Sequence, residues 1–128
     1  MFTAEVLSIG NELLIGQTTN TNLTWLSDQL TRLGGFVRRA ITVRDEIIEI
    51  SEALTLAIQH HPNILIVSGG LGPTFDDKTL QGIAYNQGLC LRLNNRALNL
   101  IRAKVKELNA GRLKMAHIPE GSQPLGIW

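Results

Sequence analysis

Cysteine, aromatic residues and long apolar runs are all scarce in this chain of 128 residues. The one cysteine, Cys90, excludes an internal disulfide and any zinc site built from cysteines. No stretch approaches the roughly 18 uninterrupted apolar residues that a membrane span needs. The amino terminus carries Glu5 where a secretory signal peptide would carry positive charge. We therefore expect one soluble, cytoplasmic domain that has no membrane partner.

An excess of charge of one sign is also missing, since 12 basic groups stand against 11 acidic groups for a net charge of +1. This balance argues against a disordered tail and against a wholly basic nucleic-acid binder. Seven basic groups do concentrate in residues 92–114, where Glu107 is the one acidic residue. A basic helix could meet RNA or a phosphorylated ligand. We interpret it as a solvated helix face and expect no nucleic-acid partner, because no aromatic residues interleave with the charges for base stacking.

The chain does contain enough apolar material for a core, 44% of its residues, in alternating strand and helix patterns. Three runs predict strands: residues 3–9, 36–43 and 64–67. The last run is apolar at every position, as in a parallel strand that is covered on both faces. Apolar residues at helical spacing predict four helices: residues 23–33, 47–58, 78–86 and 95–110. This alternation predicts an α/β fold, a three-layer, doubly wound, mostly parallel sheet with helices on both faces.

The segment SGGLGPTFDD, residues 68–77, carries the sharpest signal for chemistry. It follows the third predicted strand and opens onto a helix, which is where open α/β sheets bind ligands. Gly69, Gly70 and Gly72 lack side chains, so their backbone N–H groups can approach an anion, and the start of the helix adds further donors. The glycine spacing matches neither the Rossmann fingerprint nor a P-loop. The alternative is a tight turn in which Asp76 or Asp77 caps the helix.

The two adjacent aspartates of that segment also bear on the choice of cofactor. Asp76 and Asp77 would repel a phosphate unless a divalent cation lay between them and the ligand. Mg²⁺ or another divalent cation is therefore the cofactor expected at this turn.

A second polar cluster, with Glu12, Asn20 and Asn22, follows the first strand. Because the carboxyl ends of parallel strands share one edge, this cluster should lie near the glycine segment, and so should Asp45 after the second strand. The three carboxylates would then form one carboxylate-rich site that faces a phosphate-binding turn: Glu12, Asp45 and Asp77. The alternatives are an N-cap role for Asp45 and loop hydrogen bonding for Asn20 and Asn22.

The histidines and the cysteine give weaker signals. His60 and His61 end a predicted helix, where a positive charge favours the helix dipole. Cys90 is expected to be a small buried residue rather than a nucleophile, because it lies between two leucines. His117 has no partner base or nucleophile that the sequence reveals, and it stays unassigned.

Four segments of the chain resemble one known family. They are IGNELLIGQTTNTN at residues 9–22, VRDE at 43–46, SGGLGPTFDDKT at 68–79 and KMAHIPEGS at 114–122. In this order they resemble the amino-terminal domain of the competence/damage-inducible CinA proteins, within the MoaB/Mog molybdopterin-binding superfamily. The resemblance covers the chain as one domain, residues 1–128. Family members continue past this point, so the domain is expected to be incomplete at its carboxyl end.

The resemblance implies a homo-oligomer, commonly a trimer, and a phosphorylated small-molecule ligand. In the Mog branch the pocket binds molybdopterin. The matching domain of CinA proteins is linked to metal-dependent hydrolysis of ADP-ribose to AMP and ribose 5-phosphate. Their separate nicotinamide-mononucleotide deamidase domain has no match here, so that activity is not assigned.

Site residues follow from the resemblance position by position. Asp77 matches the aspartate that closes the glycine motif, and it is the candidate for both catalysis and metal binding, with Asp76 as a second metal candidate. Asp45 matches a second pocket aspartate and is the other catalytic candidate. The candidates for binding the ligand or its phosphate are Gly69, Gly70, Gly72, Thr74, Glu12, Asn20 and Asn22. Two functions stay open: a metal-dependent ADP-ribose pyrophosphatase, and a non-catalytic module that holds molybdopterin.

Overall fold

A parallel sheet forms the centre of the protein in a computed structural model, which describes residues 1–126. Its strands are β1 (Phe2–Ile9), β2 (Gly35–Val43) and β3 (Ile64–Ser68), in the order β2-β1-β3. β1 pairs in parallel with both neighbours. The carboxyl ends of the three strands therefore meet at one edge of the sheet, where the loops with the candidate site residues begin.

Six helices and a second, smaller sheet complete the described elements. The helices are α1 (Asn11–Leu14), α2 (Thr21–Arg32), α3 (Ile47–Gln59), α4 (Thr79–Gln87), α5 (Asn95–Arg102) and α6 (Ala110–Met115). The second sheet pairs β4 (Leu91–Leu93) and β5 (His117–Pro119) in antiparallel fashion. None of the helices within residues 1–126 has the length and apolar character needed to cross a membrane.

Helices cover both faces of the parallel sheet because β1 directs alternate side chains to opposite faces. Ala4 and Val6 are buried on one face together with Leu30 of α2. Leu7 is buried on the other face together with Ile50 of α3. The predicted α/β fold, with a parallel sheet between helical layers, is confirmed.

The carboxyl-terminal part departs from the single helix predicted over residues 95–110. α5 ends at Arg102, turns follow, and the side chain of Asn109 then caps α6. α5 already buries Ile101 in a second apolar cluster, whereas Leu108 remains 38% exposed. The prediction is wrong beyond Arg102 because Leu108, the last apolar position of the stripe, does not enter the core and Asn109 starts a new helix.

His60 and Cys90 have surroundings that the sequence did not reveal. Glu5 is 1% exposed on β1, and its Oε1 lies 2.8 Å from Nδ1 of His60, so this histidine pairs with a buried carboxyl group. The other oxygen of Glu5 lies 3.8 Å from the guanidinium of Arg39. Cys90 is exposed, so the expectation of a buried thiol is wrong. It precedes β4, and the three residues of that strand are half-buried or exposed.

Candidate functional site

The glycine turn, defined here as residues 68–72, follows β3 and is held by Thr79 at the start of α4. Thr79 is fully buried. Its Oγ1 donates a hydrogen bond to the carbonyl oxygen of Gly69 at 2.7 Å, and its N–H donates to that of Gly70 at 3.2 Å. Thr79 therefore supplies hydrogen-bond donors to two carbonyl groups of the turn.

Gly69 and Gly70 are required by the geometry of the turn. Their φ angles of 93° and 64° lie in the left-handed region, which favours glycine. A Cβ atom on Gly69 would overlap the carbonyl oxygen of Ile9, and one on Gly70 would overlap Oγ1 of Thr79. The chain's own atoms thus fill the space that these glycines leave.

Asp77 folds back on the loop and does not cap α4. Its Oδ2 accepts hydrogen bonds from the N–H of Thr74 at 3.0 Å and from the hydroxyl of Thr74 at 2.5 Å. The Thr74 hydroxyl lowers the pKa of Asp77, and the charge of Lys114 lowers it further, so the carboxylate is ionised at neutral pH. The N-cap of α4 is Lys78, which makes no side-chain cap. The alternative in which Asp76 or Asp77 caps this helix is therefore wrong.

Asp45 caps the start of α4 from a neighbouring loop. Its Oδ1 accepts a hydrogen bond from the N–H of Lys78 at 2.8 Å, and its own N–H donates to Oδ1 of Asn11 at 2.9 Å. Burial raises the pKa of Asp45, and the nearby charge of Asp77 raises it further. The N-cap residue of α3 is Glu46, so the expectation that Asp45 caps that helix is wrong.

Lys114 on α6 reaches the same loop, and sequence reasoning missed it. Its Nζ donates a hydrogen bond to the carbonyl oxygen of Thr74 at 2.7 Å and a second one to that of Asp77. α6 approaches closely, since a Cβ atom on Gly111 would overlap the carbonyl oxygen of Pro73. The interpretation of residues 92–114 as a solvated face does not hold for Lys114. The segment KMAHIPEGS was the signal that could have singled it out.

Several cavities border the glycine turn, and two of them contain most of the candidate residues, while a third, of about 310 Å³, is lined by Asn22 and Gly69 together with apolar side chains. The first has a volume of about 40 Å³. Its lining includes the polar or glycine positions Gly70, Gly72, Asp77, Gln81, Lys114 and His117. The second has a volume of about 120 Å³, and its lining includes Ser8, Glu12, Asn20, Asn22, Ser68 and Gly69.

The three carboxylates therefore do not lie together in the single carboxylate-rich site that we expected. Glu12 lines the second cavity and Asp77 lines the first. Asp45 packs against the turn at Gly70, since a Cβ atom added to Gly70 would lie 3.0 Å from Oδ2 of Asp45. Thr74 and Asp76 are exposed and line neither cavity.

Asn20 and Asn22 tie α2 to the carboxyl ends of β1 and β3. Asn20 caps α2 through its Oδ1, and its Nδ2 donates to Oγ of Ser8 at 2.9 Å. Nδ2 of Asn22 donates to Oγ of Ser68 at 3.3 Å. Both side chains thus make structural hydrogen bonds at the wall of the second cavity, in line with the loop alternative.

His117 lines the first cavity in a defined orientation. Its Nδ1 lies 3.0 Å from the carbonyl oxygen of Leu113. Because a carbonyl group cannot donate, Nδ1 carries a proton and Nε2 is the acceptor nitrogen of the neutral ring.

A divalent cation would find one suitable protein ligand at the first cavity. Within residues 1–126, no three His, Cys, Asp or Glu side chains are grouped so that they could hold a metal ion. Asp77 is ionised and lines the cavity, so it can contribute one carboxylate, whereas Asp76 lies outside. Mg²⁺ commonly binds through one or two carboxylates and completes its shell with waters and substrate phosphates. The residues present fit such a site and do not form a closed metal cage.

Comparisons with known proteins place the chain in a family. A family model described as a probable molybdopterin binding domain matches residues 5–126. An alignment of 129 positions with a protein of Metallosphaera sedula shows 45% identity and covers 98% of this chain and 49% of that protein. A protein of Sulfurisphaera tokodaii is 47% identical over 126 residues, which cover 95% of this chain and 48% of that protein. The chain therefore spans about half the length of these relatives.

Solved structures agree with the family model. CinA from Thermoplasma acidophilum, described as having unknown function, is 42% identical with a TM-score of 0.88, over 96% of this chain and 73% of that chain. MoaB from Thermus thermophilus is 21% identical with a TM-score of 0.64, over 88% of this chain and 70% of that chain, and it shows the fold alone. The chain thus belongs to the MoaB/Mog family of probable molybdopterin binding domains, and it is similar to CinA.

Proposed function

We propose that this domain binds a phosphorylated ligand at the carboxyl edge of its sheet and hydrolyses the diphosphate of ADP-ribose with a divalent cation. The observation that carries the proposal is Asp77, an ionised carboxylate held at the wall of a cavity beside the glycine turn. Carboxyl edges of parallel sheets are the usual ligand sites of α/β proteins. The resemblance to CinA proteins supports ADP-ribose as the substrate.

The chain's own residues would position the reacting groups. Thr74 orients the Asp77 carboxylate through two hydrogen bonds, and Thr79 holds the glycine turn. These positions are set before a ligand arrives, which lowers the entropic cost of reaching the transition state. A divalent cation at Asp77 would polarise a phosphoryl oxygen and activate water. In the hydrolysis a water oxygen bonds to one phosphorus, the bridging P–O bond breaks, and the proton that the water loses is balanced by the departing phosphate oxygen, so that AMP and ribose 5-phosphate are released.

Calorimetric titration of ADP-ribose tests the proposed site. Binding should require Mg²⁺ in the wild-type chain and should be lost in Asp77→Asn. Asp28→Asn is the matched control, because Asp28 pairs with Arg32 on the exposed side of α2. Binding that is unchanged in Asp77→Asn would contradict the assignment of Asp77.

A second candidate function is molybdopterin binding without catalysis, and the match of the family model to residues 5–126 favours it. It predicts that the chain retains a pterin in the absence of Mg²⁺. Fluorescence of pterin that co-purifies with the protein, measured before and after treatment with a chelator, distinguishes the two functions.

Homo-oligomeric assembly is also part of the proposal. Several large apolar side chains are exposed, among them Trp25 at 62%, Leu33 at 74% and Phe36 at 56%. Exposed apolar area of this kind is common at protein–protein interfaces. Light scattering after size-exclusion chromatography measures the mass, and a monomer at all concentrations would contradict assembly.

A further inference from the structure

The first cavity contains the positive charge of Lys114, which makes no direct ion pair with a carboxylate among the described residues. Lys114 is half-buried. Its Nζ donates to the carbonyl oxygens of Thr74 and Asp77. Within residues 1–126, none of the ion pairs to a carboxylate includes it. Carbonyl groups orient an ammonium group without neutralising its charge, and the carboxylates of Asp77 and Asp45 act on that charge from outside hydrogen-bond distance.

The apolar walls of this cavity strengthen the electrostatic attraction between Lys114 and an anion. Apolar side chains form much of the lining: Leu71, Leu80, Leu91 and Met115. Apolar surroundings lower the local dielectric constant, so the attraction between an ammonium group and an anion is larger than in bulk water. A half-buried charge in such a place is best stabilised by a counter-ion.

The size and charges of the cavity fit the phosphate end of a ligand. Its volume is about 40 Å³. On the same measure one water needs about 10–15 Å³, so the space suits one phosphate group and is too small for a whole nucleotide. Asp77 and Lys114 also give the wall one negative and one positive group. A phosphate that carries a divalent cation presents the complementary pair of charges.

The glycine turn offers a phosphate only backbone groups, which carry no formal charge. Gly69 and Gly70 are also packed closely against the chain's own atoms. A charged side chain is therefore the better source of positive charge for a phosphate at this site.

We infer that Lys114 is the phosphate-binding residue of this site, and that its ligand is a diphosphate or phosphate ester. The inference deepens the proposed function, because it concerns the same cavity and rests on a phosphorylated ligand binding there. The ammonium group would keep its two carbonyl partners and donate its remaining N–H to a phosphate oxygen.

Two substitutions separate the charge of Lys114 from its hydrogen bonds to the loop. Lys114→Gln removes the charge but keeps an N–H donor, whereas Lys114→Arg keeps the charge. Lys106→Gln is the control, since Lys106 is exposed on the segment before α6. Thermal unfolding shows first whether each variant is folded.

Calorimetric titration with inorganic pyrophosphate, with Mg²⁺ and with a chelator, measures the effect. Lys114→Gln should weaken binding about tenfold or more, the usual loss for a hydrogen bond to a charged group. Lys106→Gln should stay within about threefold of the wild-type chain, whose own affinity should fall as salt rises, and Lys114→Arg should bind more tightly than Lys114→Gln because it keeps the charge. Equal affinity of Lys114→Gln and the wild-type chain would overturn the inference, and so would the absence of pyrophosphate binding by the wild-type chain.

Acylation of the wild-type chain gives a test that does not depend on a folded variant. Pyrophosphate should protect Lys114 from acetic anhydride while Lys106 stays reactive, as read by peptide mass spectrometry. Equal labelling of Lys114 with and without pyrophosphate would overturn the inference.

Release of AMP from ADP-ribose, assayed on the same variants, separates this inference from the proposed hydrolysis. Pyrophosphate binding that depends on Lys114, without AMP release, supports the inference and rejects the hydrolase. AMP release with an unchanged KM in Lys114→Gln supports the hydrolase and overturns the inference.

Discussion

Replacing Thr79 with valine tests how the glycine turn is held in place. Thr79 is 0% exposed, and its hydroxyl donates to the carbonyl oxygen of Gly69 at 2.7 Å. Valine has nearly the same shape, so the change removes the donor without opening a cavity. The carbonyl group of Gly69 would then lose its partner on the side that the buried Thr79 occupies. Such a loss costs about 1–3 kcal/mol of the free energy of unfolding.

Urea unfolding of the wild-type chain and of Thr79→Val measures this cost. Thr31→Val is the matched control, because the hydroxyl of Thr31 donates to the carbonyl oxygen of Ser27, also at 2.7 Å, on the exposed side of α2. Water replaces that donor, so the control should change stability by no more than about 0.5 kcal/mol. If Thr79→Val costs no more than Thr31→Val, the hydroxyl does not hold the turn.

Three further outcomes are expected. Gly70→Ala should destabilise the fold by about 1 kcal/mol or more in urea, since φ is 64° there and the methyl group would overlap Thr79; equal stability would contradict this. The pKa of Asp77 is lowered in the folded state, so its contribution to stability is present above the unfolded pKa of about 3.9 and is lost as pH falls through the lower folded pKa. Asp77→Asn should therefore lose less stability than the wild-type chain between about pH 5 and pH 3, and an equal loss would contradict the shift. Nitrogen NMR should find the proton of neutral His117 on Nδ1, whereas a proton on Nε2 would be incompatible with its hydrogen bond to Leu113.

The parallel sheet could be predicted because its signals are local. The run at residues 64–67 is apolar throughout, and helical spacing follows each strand. The prediction of a single helix over residues 95–110 failed because its outcome depends on contacts that are not local. The apolar stripe continues to Leu108, but only tertiary packing decides that the chain turns after Arg102 and restarts at Asn109.

The candidate site could be predicted in the same local sense. The glycine segment and Asp77 stand out because their spacing is visible within ten residues of sequence. The contacts that organise them are long-range. Lys114 lies 40 positions after Thr74, and Asp45 lies 33 positions before Lys78. A lysine in a basic stretch and an aspartate before a helix have ordinary local explanations, so only the folded chain reveals these partners.

Production of AMP from ADP-ribose tests the proposed hydrolase most directly. The assay compares the wild-type chain, Asp77→Asn and Asp28→Asn, each with Mg²⁺ and with a chelator. Metal-dependent AMP release by the wild-type chain and by Asp28→Asn, but not by Asp77→Asn, is the expected result. AMP release by Asp77→Asn at the wild-type rate, or none by the wild-type chain with Mg²⁺, would contradict the proposal.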